Sequence, residues 1–159
     1  MKTLVFPGSF DPFTNSHLDL ALRAQDLFDR VIVAVRTRDI PDARREAEDR
    51  AELVHLALDE HEGFEIEIFD GLLVDYLRSR DAQFVLRGMR TIADFEYEFQ
   101  RVDMTRQLDP EIEFVFLAPS EHCSFLSSKL VREIAAYGRD VSDFVPPAVA
   151  RELMRRSAE

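Results

Sequence analysis

Five short runs of apolar and β-branched residues recur along the chain: "TLVF", "RVIVAV", "FEIEIF", "QFVLRG" and "IEFVFLA". Longer stretches with helical spacing lie between them. This βαβα order belongs to a parallel sheet covered by helices. Helical spacing is clearest over Ser16–Phe28, where Leu18, Ala21, Leu22 and Gln25 repeat at three and four. It recurs over Glu46–His61 with Ala47, Ala51, Val54 and Leu58, and in both stretches the other face is charged. After the fifth run, "SSKLVREIAAY" and "PPAVARELMRR" read as two closing helices, the second begun by Pro146 and Pro147. No Gly- or Ser-rich linker divides the 159 residues, a length at which one domain buries roughly 70% of its unfolded surface. The expectation is a single doubly wound, Rossmann-like α/β domain over residues 1–159, with a five-stranded parallel sheet and C-terminal helices. In such sheets ligands sit outside the carboxyl ends of the strands, at a switch point.

Charge and composition narrow what those ligands are. With 46% apolar and 10% aromatic residues, the composition is that of a folded globule. The formal net charge of -11 opposes non-specific attraction to nucleic acid or to an anionic membrane. An anionic small molecule then needs a local basic site, and arginine supplies every positive side chain except Lys2 and Lys129. Cys123 is the only cysteine, so no disulfide forms within the chain. No leader-like segment opens the sequence and no apolar run approaches the roughly 20 residues of a membrane span, so a cytoplasmic location is expected.

The stretch "FPGSFDPFTNSH" lies between the first strand and the first helix, where the switch-point rule puts a ligand. Gly8 permits close approach to the backbone, and two prolines stiffen the loop. Asn15 or Ser16 can cap the helix, whose first amides attract an anion. His17 then projects from the first turn, either to donate a hydrogen bond to phosphate oxygens or as a solvent-facing polar residue. Neither GxxxxGK[ST] nor a GxGxxG after the first strand is present, which removes the usual kinase and dehydrogenase readings. His17, His55, His61 and His122 lack paired ligand spacing, so no protein metal site is expected. Arg87 and Arg90 end the fourth strand on the ligand side, suited to phosphate or else paired with Asp94, Glu96 or Glu98. "PSEHCSFLSSKLVRE" leads into another helix, with Ser127 or Ser128 as its cap and Lys129 and Arg132 near its start.

Together, "PGSFDPFTNSH", "GLLVDYLR", "RGMRTIADFEYE" and "PSEHCSFLSSKLVRE" resemble bacterial phosphopantetheine adenylyltransferases, nucleotidyltransferases of coenzyme A synthesis. The resemblance implies transfer of AMP from ATP, with magnesium, to 4'-phosphopantetheine, giving dephospho-coenzyme A and pyrophosphate. It implies a homohexamer with coenzyme A as feedback inhibitor. Carried onto matching positions, it makes His17 and Ser9 the groups at the reacting phosphates and Arg87 the holder of the acceptor phosphate. Leu73 would contact the pantetheine arm. Phe10, Gly88, Met89, Arg90 and Glu98, with Cys123, Ser124, Phe125, Leu126, Ser127, Ser128 and Lys129, would form the ATP site.

Three departures stand out. Ser16 replaces the family's glycine before the histidine. In the loop "RTRDIPDARRE", Pro41 stands where the family carries a catalytic lysine, leaving Arg38, Arg44 or Arg45 to bring in charge. Lys129 replaces a serine and is a candidate cation from the opposite side. The rival readings are a sister nucleotidyltransferase with another phosphate acceptor, and a non-catalytic module that binds nucleotide or coenzyme A.

Overall fold

The runs "TLVF" and "VIVAV" are unbroken because both faces of the sheet are covered at its centre, whereas "FEIEIF", at its edge, alternates with Glu65 and Glu67. The structure is a computed structural model describing residues 1–159. Its elements are β1 (Thr3–Gly8), α1 (Asn15–Gln25), β2 (Arg30–Arg36), α2 (Ala43–Leu58), β3 (Phe64–Phe69), α3 (Leu73–Ser79), β4 (Phe84–Gly88), α4 (Ile92–Leu108), β5 (Glu113–Leu117), α5 (Ser128–Ala136) and α6 (Pro147–Ser157). All strand pairs are parallel, in the order β3-β2-β1-β4-β5. Leu4 of β1 lies opposite both Val31 of β2 and Phe84 of β4. The chain therefore winds outward from β1 in one direction, then returns to β1's other side. This reversal opens a cleft at the carboxyl ends of β1 and β4.

Alternate residues of each strand feed two cores. Leu4, Phe6, Val31, Val33, Val35 and Leu86 join the larger core beneath α1, α2, α5 and α6. Their neighbours Val5, Ile32, Ala34 and Val85 join a smaller one with Val74, Tyr76 and Leu77 of α3. The parallel Rossmann-like architecture expected from the sequence is thus the one observed, with Pro147 at the first position of α6.

Helix limits and faces differ from expectation in two places. The buried stripe of α1 is Ser16, Leu20, Ala21 and Ala24, while Leu18, Leu22 and Gln25 are only half-buried. The small Ser16, Ala21 and Ala24 let α1 lie close on the sheet, and the Gln25 amide turns aside to donate to the Glu62 carbonyl at 2.7 Å. Likewise α2 begins at Ala43 and stops at Leu58, short of His61. There the His61 N–H closes a turn onto the Leu58 carbonyl (2.9 Å), and Gly63, at φ 89°, turns the chain into β3 in a region open to glycine. Its inner stripe, Ala47, Ala51, Val54 and Leu58, is buried as the spacing predicts.

Candidate active site

The first loop runs from Gly8 to α1, and its chemistry follows from how that helix is capped. Neither Asn15 nor Ser16 caps it; Thr14 does. The Thr14 hydroxyl accepts from the His17 N–H at 3.4 Å, and the Thr14 N–H donates to His17 Nδ1 at 3.0 Å. This is a capping box with imidazole in the place usually held by Glu or Gln. Asn15 uses its N–H to hold the Phe144 carbonyl (2.9 Å), fastening the start of α1 to the segment before α6.

The box decides the state of the histidine. With Nδ1 accepting a backbone N–H, the proton of the neutral ring resides on Nε2. The ring is packed among Phe10, Phe13 and Phe6, with centroids 5.1, 5.3 and 6.1 Å away, so His17 is not a solvent-facing residue. Burial, assisted by the nearby charge of Arg90, lowers its pKa to about 4. At neutral pH His17 is an uncharged donor, with Nε2–H left for a ligand.

Phe10 holds this arrangement at a local cost. Its φ of 48° is unusual for a bulky residue and costs roughly 1–2 kcal/mol. Edge contacts to Phe6 and His17 fix its ring. A Cβ on Gly8 would come within 3.0 Å of that ring, which explains the glycine.

Below the loop lies a cavity of about 340 Å³. It gathers Ser9, Phe10, Ser16 and His17 from the first loop and helix, Arg87, Gly88 and Arg90 from the end of β4, and Leu126 and Ser128 from the start of α5. Arg90 spans it by donating to the Leu126 carbonyl, with its Nε 3.9 Å from Asp94. The Ser128 hydroxyl donates to the Pro12 carbonyl (3.0 Å), tying α5 to the first loop. Thr14, Leu20 and Pro119 also line the cavity, although the sequence marked none of them. A Cβ on Gly88 would meet Leu20 Cδ1 at 2.6 Å, so the glycine keeps this wall open.

A second cavity, about 230 Å³, opens from the other side of Pro7, Gly8, Ser9 and Arg87. Arg36, Thr37, Arg38, Phe69, Leu73 and Arg101 complete it. A third, about 190 Å³, continues outward past Arg36, Leu73, Arg87 and Arg101 to the apolar Leu72, Val74, Met104, Leu108 and Phe114. Arg87 sits between these spaces with a forked pair of bonds to Glu98 at 2.9 and 2.8 Å. Glu98 is buried and acts there as the partner of Arg87, outside the lining of the main cavity.

Several other expected residues lie off the cavity walls. Met89 borders a shallow depression with Thr91, Ile92 and Phe95. Cys123 is buried, its Sγ donating to the Ser120 carbonyl. The Ser124 hydroxyl donates to the Glu121 carbonyl, and Phe125 is exposed. Ser127 caps α5 by accepting the Leu130 N–H, and Lys129 points to solvent. Of the three arginines after β2, only Arg38 is brought in: Arg44 pairs with Glu48 (3.2 Å), Arg45 is exposed, and Pro41 lies exposed before α2.

A buried clamp escaped the sequence reading. Arg50 of α2 makes two 2.7 Å bonds to Glu46 and donates to the Ser9 carbonyl (2.6 Å) and the Arg36 carbonyl (2.8 Å). Glu46 also binds Arg38 (2.8 Å), Arg38 binds Asp11 (2.9 Å), and Asp11 binds Arg132 of α5 (2.6 Å). This alternating chain fixes the first loop against both α2 and α5. Its only advance signal was the Glu46 and Arg50 spacing of four on a helix.

Comparison with known proteins agrees with this geometry. The cytidylyltransferase-like family model matches residues 5–134. The phosphopantetheine adenylyltransferase of Alkalilimnicola ehrlichii is 51% identical over 154 residues, covering 96% of this chain and 88% of that protein. That of Hahella chejuensis is 43% identical over 158 residues, covering 99% and 98%. That of Aromatoleum aromaticum is 47% identical over 152 residues, covering 96% and 93%. Fold and site thus define a nucleotidyltransferase of the cytidylyltransferase-like class. Within that class, the chain belongs to the phosphopantetheine adenylyltransferase family.

Proposed function

We propose that the protein transfers AMP from ATP to 4'-phosphopantetheine, forming dephospho-coenzyme A and releasing pyrophosphate. The observation that carries this reading is the locked Nε2–H of His17 in a cavity joined through Ser9 to a second, arginine-lined one. ATP occupies the first cavity and the acceptor the second. The acceptor phosphate has a second pKa near 6 and is mostly dianionic at neutral pH, so it attacks without a protein base. Its oxygen forms a bond to the α-phosphorus while the bond to the β-phosphate oxygen breaks and pyrophosphate leaves. His17 donates from Nε2 to an α-phosphoryl oxygen as charge spreads there, and the alignment of the two substrates supplies much of the rest.

Ser9 touches both substrates from the wall the cavities share. Phe10, Gly88, Arg90, Leu126 and Ser128 shape the nucleotide side, and Arg87 and Leu73 the acceptor side. Ser16 adds its side chain to the nucleotide wall in place of hydrogen. No three His, Cys, Asp or Glu side chains cluster as a metal site, and magnesium favours phosphate oxygens and water, so it enters as MgATP.

The same reading makes the protein a homohexamer acting in the cytoplasm. Its support is α4, on which Ile92, Phe95 and Phe99 expose one apolar face suited to other copies of the chain. Light scattering at a sixfold mass tests this; a monomer contradicts it. Coenzyme A, which shares both ends of the product, would inhibit by competing for both cavities.

Mass spectrometry of products from MgATP with 4'-phosphopantetheine, nicotinate mononucleotide or glycerol phosphate tests the reaction. Dephospho-coenzyme A from the first alone is the expected result. Adenylylation of another acceptor would instead establish a sister enzyme.

A further inference from the structure

We infer that Arg36 and Arg101 hold the phosphate of the acceptor, supplying the positive charge that the loop after β2 lacks. The inference rests on the functional reading above and names how its acceptor is recognised.

Uncompensated charge distinguishes these two arginines from their neighbours. Arg87 borders the acceptor cavity, but its guanidinium is already forked onto the buried Glu98. Arg38 borders it too, bonded to both Asp11 and Glu46. Each such pair presents little net charge to an incoming dianion, and the whole chain carries a net charge of -11 that repels one. Thirteen of the eighteen arginines have a carboxylate partner; Arg36, Arg45, Arg101, Arg139 and Arg151 do not. Two of these five face the same cavity.

Both are oriented by neutral contacts that leave their charge free. Arg36 ends β2, its own carbonyl gripped by Arg50, and its guanidinium makes only a long 3.4 Å bond to the Gly71 carbonyl. Arg101 lies 5.0 Å over the Tyr97 ring and donates to its hydroxyl at 3.1 Å. The polarity of the space orients the ligand between them. Ser9 stands at the inner end, beside the nucleotide cavity, Leu72, Met104, Leu108 and Phe114 line the outer end, and Arg87 borders both. Arg36 and Arg101 border both sections. A phosphate ester with a long, weakly polar arm places its phosphate inward and its arm outward, so the two free guanidiniums meet the phosphate. Charge-assisted bonds of this kind are the strong ones.

The test titrates 4'-phosphopantetheine calorimetrically into wild type, Arg36→Gln, Arg101→Gln and the double variant, with Arg36→Lys, Arg101→Lys and Arg151→Gln alongside. Pantetheine, which lacks the phosphate, is measured in parallel as an inhibitor of turnover. Each Gln variant should weaken 4'-phosphopantetheine about tenfold or more, raise its KM more than it lowers kcat, and leave pantetheine inhibition and the KM for ATP unchanged. The Lys variants should recover most of the loss, and Arg151→Gln should behave as wild type. Unchanged affinity in both Gln variants, or equal losses for pantetheine and its phosphate ester, would overturn the inference while leaving the reaction intact. Wild type that neither binds nor converts 4'-phosphopantetheine would overturn the functional reading and this inference with it.

Discussion

The two cavities flanking Ser9 handle anions in different ways. The nucleotide side works mainly with neutral donors, a histidine stripped of charge by burial and hydroxyls, beside the guanidinium of Arg90 and that of Arg87, which both cavities share. Four arginines, Arg36, Arg38, Arg87 and Arg101, border the acceptor side. The contrast fits the proposed chemistry. A group that must respond to charge developing on the α-phosphate needs position, while a dianion that must be drawn from water needs net charge.

Removing the donor at the reacting end should have the largest effect. His17→Ala is expected to lower kcat by about 10²–10³ with little change in either KM; steady-state kinetics checks this, and a pure KM effect would break the division. Arg87→Gln should act on the other cavity, raising the acceptor KM by about 10–100-fold. It should also lower Tm, because Glu98 would be left buried and unpaired. A smaller effect, confined to the nucleotide side, is expected from Gly88→Ala. Its new Cβ displaces Leu20 into the cavity, and an increase of about tenfold in the KM for ATP should follow, with the acceptor KM unchanged.

The smallest expected effect is on stability. The His17 pKa of about 4 in the folded chain lies below its ordinary 6.5, so the unfolded chain binds more protons between those values. Stability should therefore fall as pH drops from 6.5 to 4, and His17→Gln should flatten that part of a Tm profile. Turnover should decline near pH 6, where the acceptor phosphate protonates, well above the pH at which His17 does.

How much of this was legible in the sequence depended on the range of the contacts involved. The central strands β1 and β2 were plain because burial on both faces makes them continuous apolar runs, and the first loop was plain because glycine and proline mark it. The stripe of α1 was read correctly at Ala21 but otherwise misplaced, because Ser16 and Ala24 carry a weak hydrophobic signal beside Leu18 and Leu22. His17 was singled out, but its locked tautomer was not, since that depends on Thr14 and three phenylalanine rings brought together by the fold. Arg50 was invisible as a clamp because its partners, the Ser9 and Arg36 carbonyls, are distant in sequence. The unpaired state of Arg36 and Arg101 is likewise a property of where every carboxylate ends up.

The measurement that bears most directly on the account is pyrophosphate release from MgATP, with and without 4'-phosphopantetheine, in wild type and in a folded His17→Ala variant. The account predicts release that requires the acceptor and collapses in the variant. A folded wild type that binds ATP yet releases no pyrophosphate would contradict it, and would make the chain a nucleotide-binding module whose missing loop lysine nothing replaces.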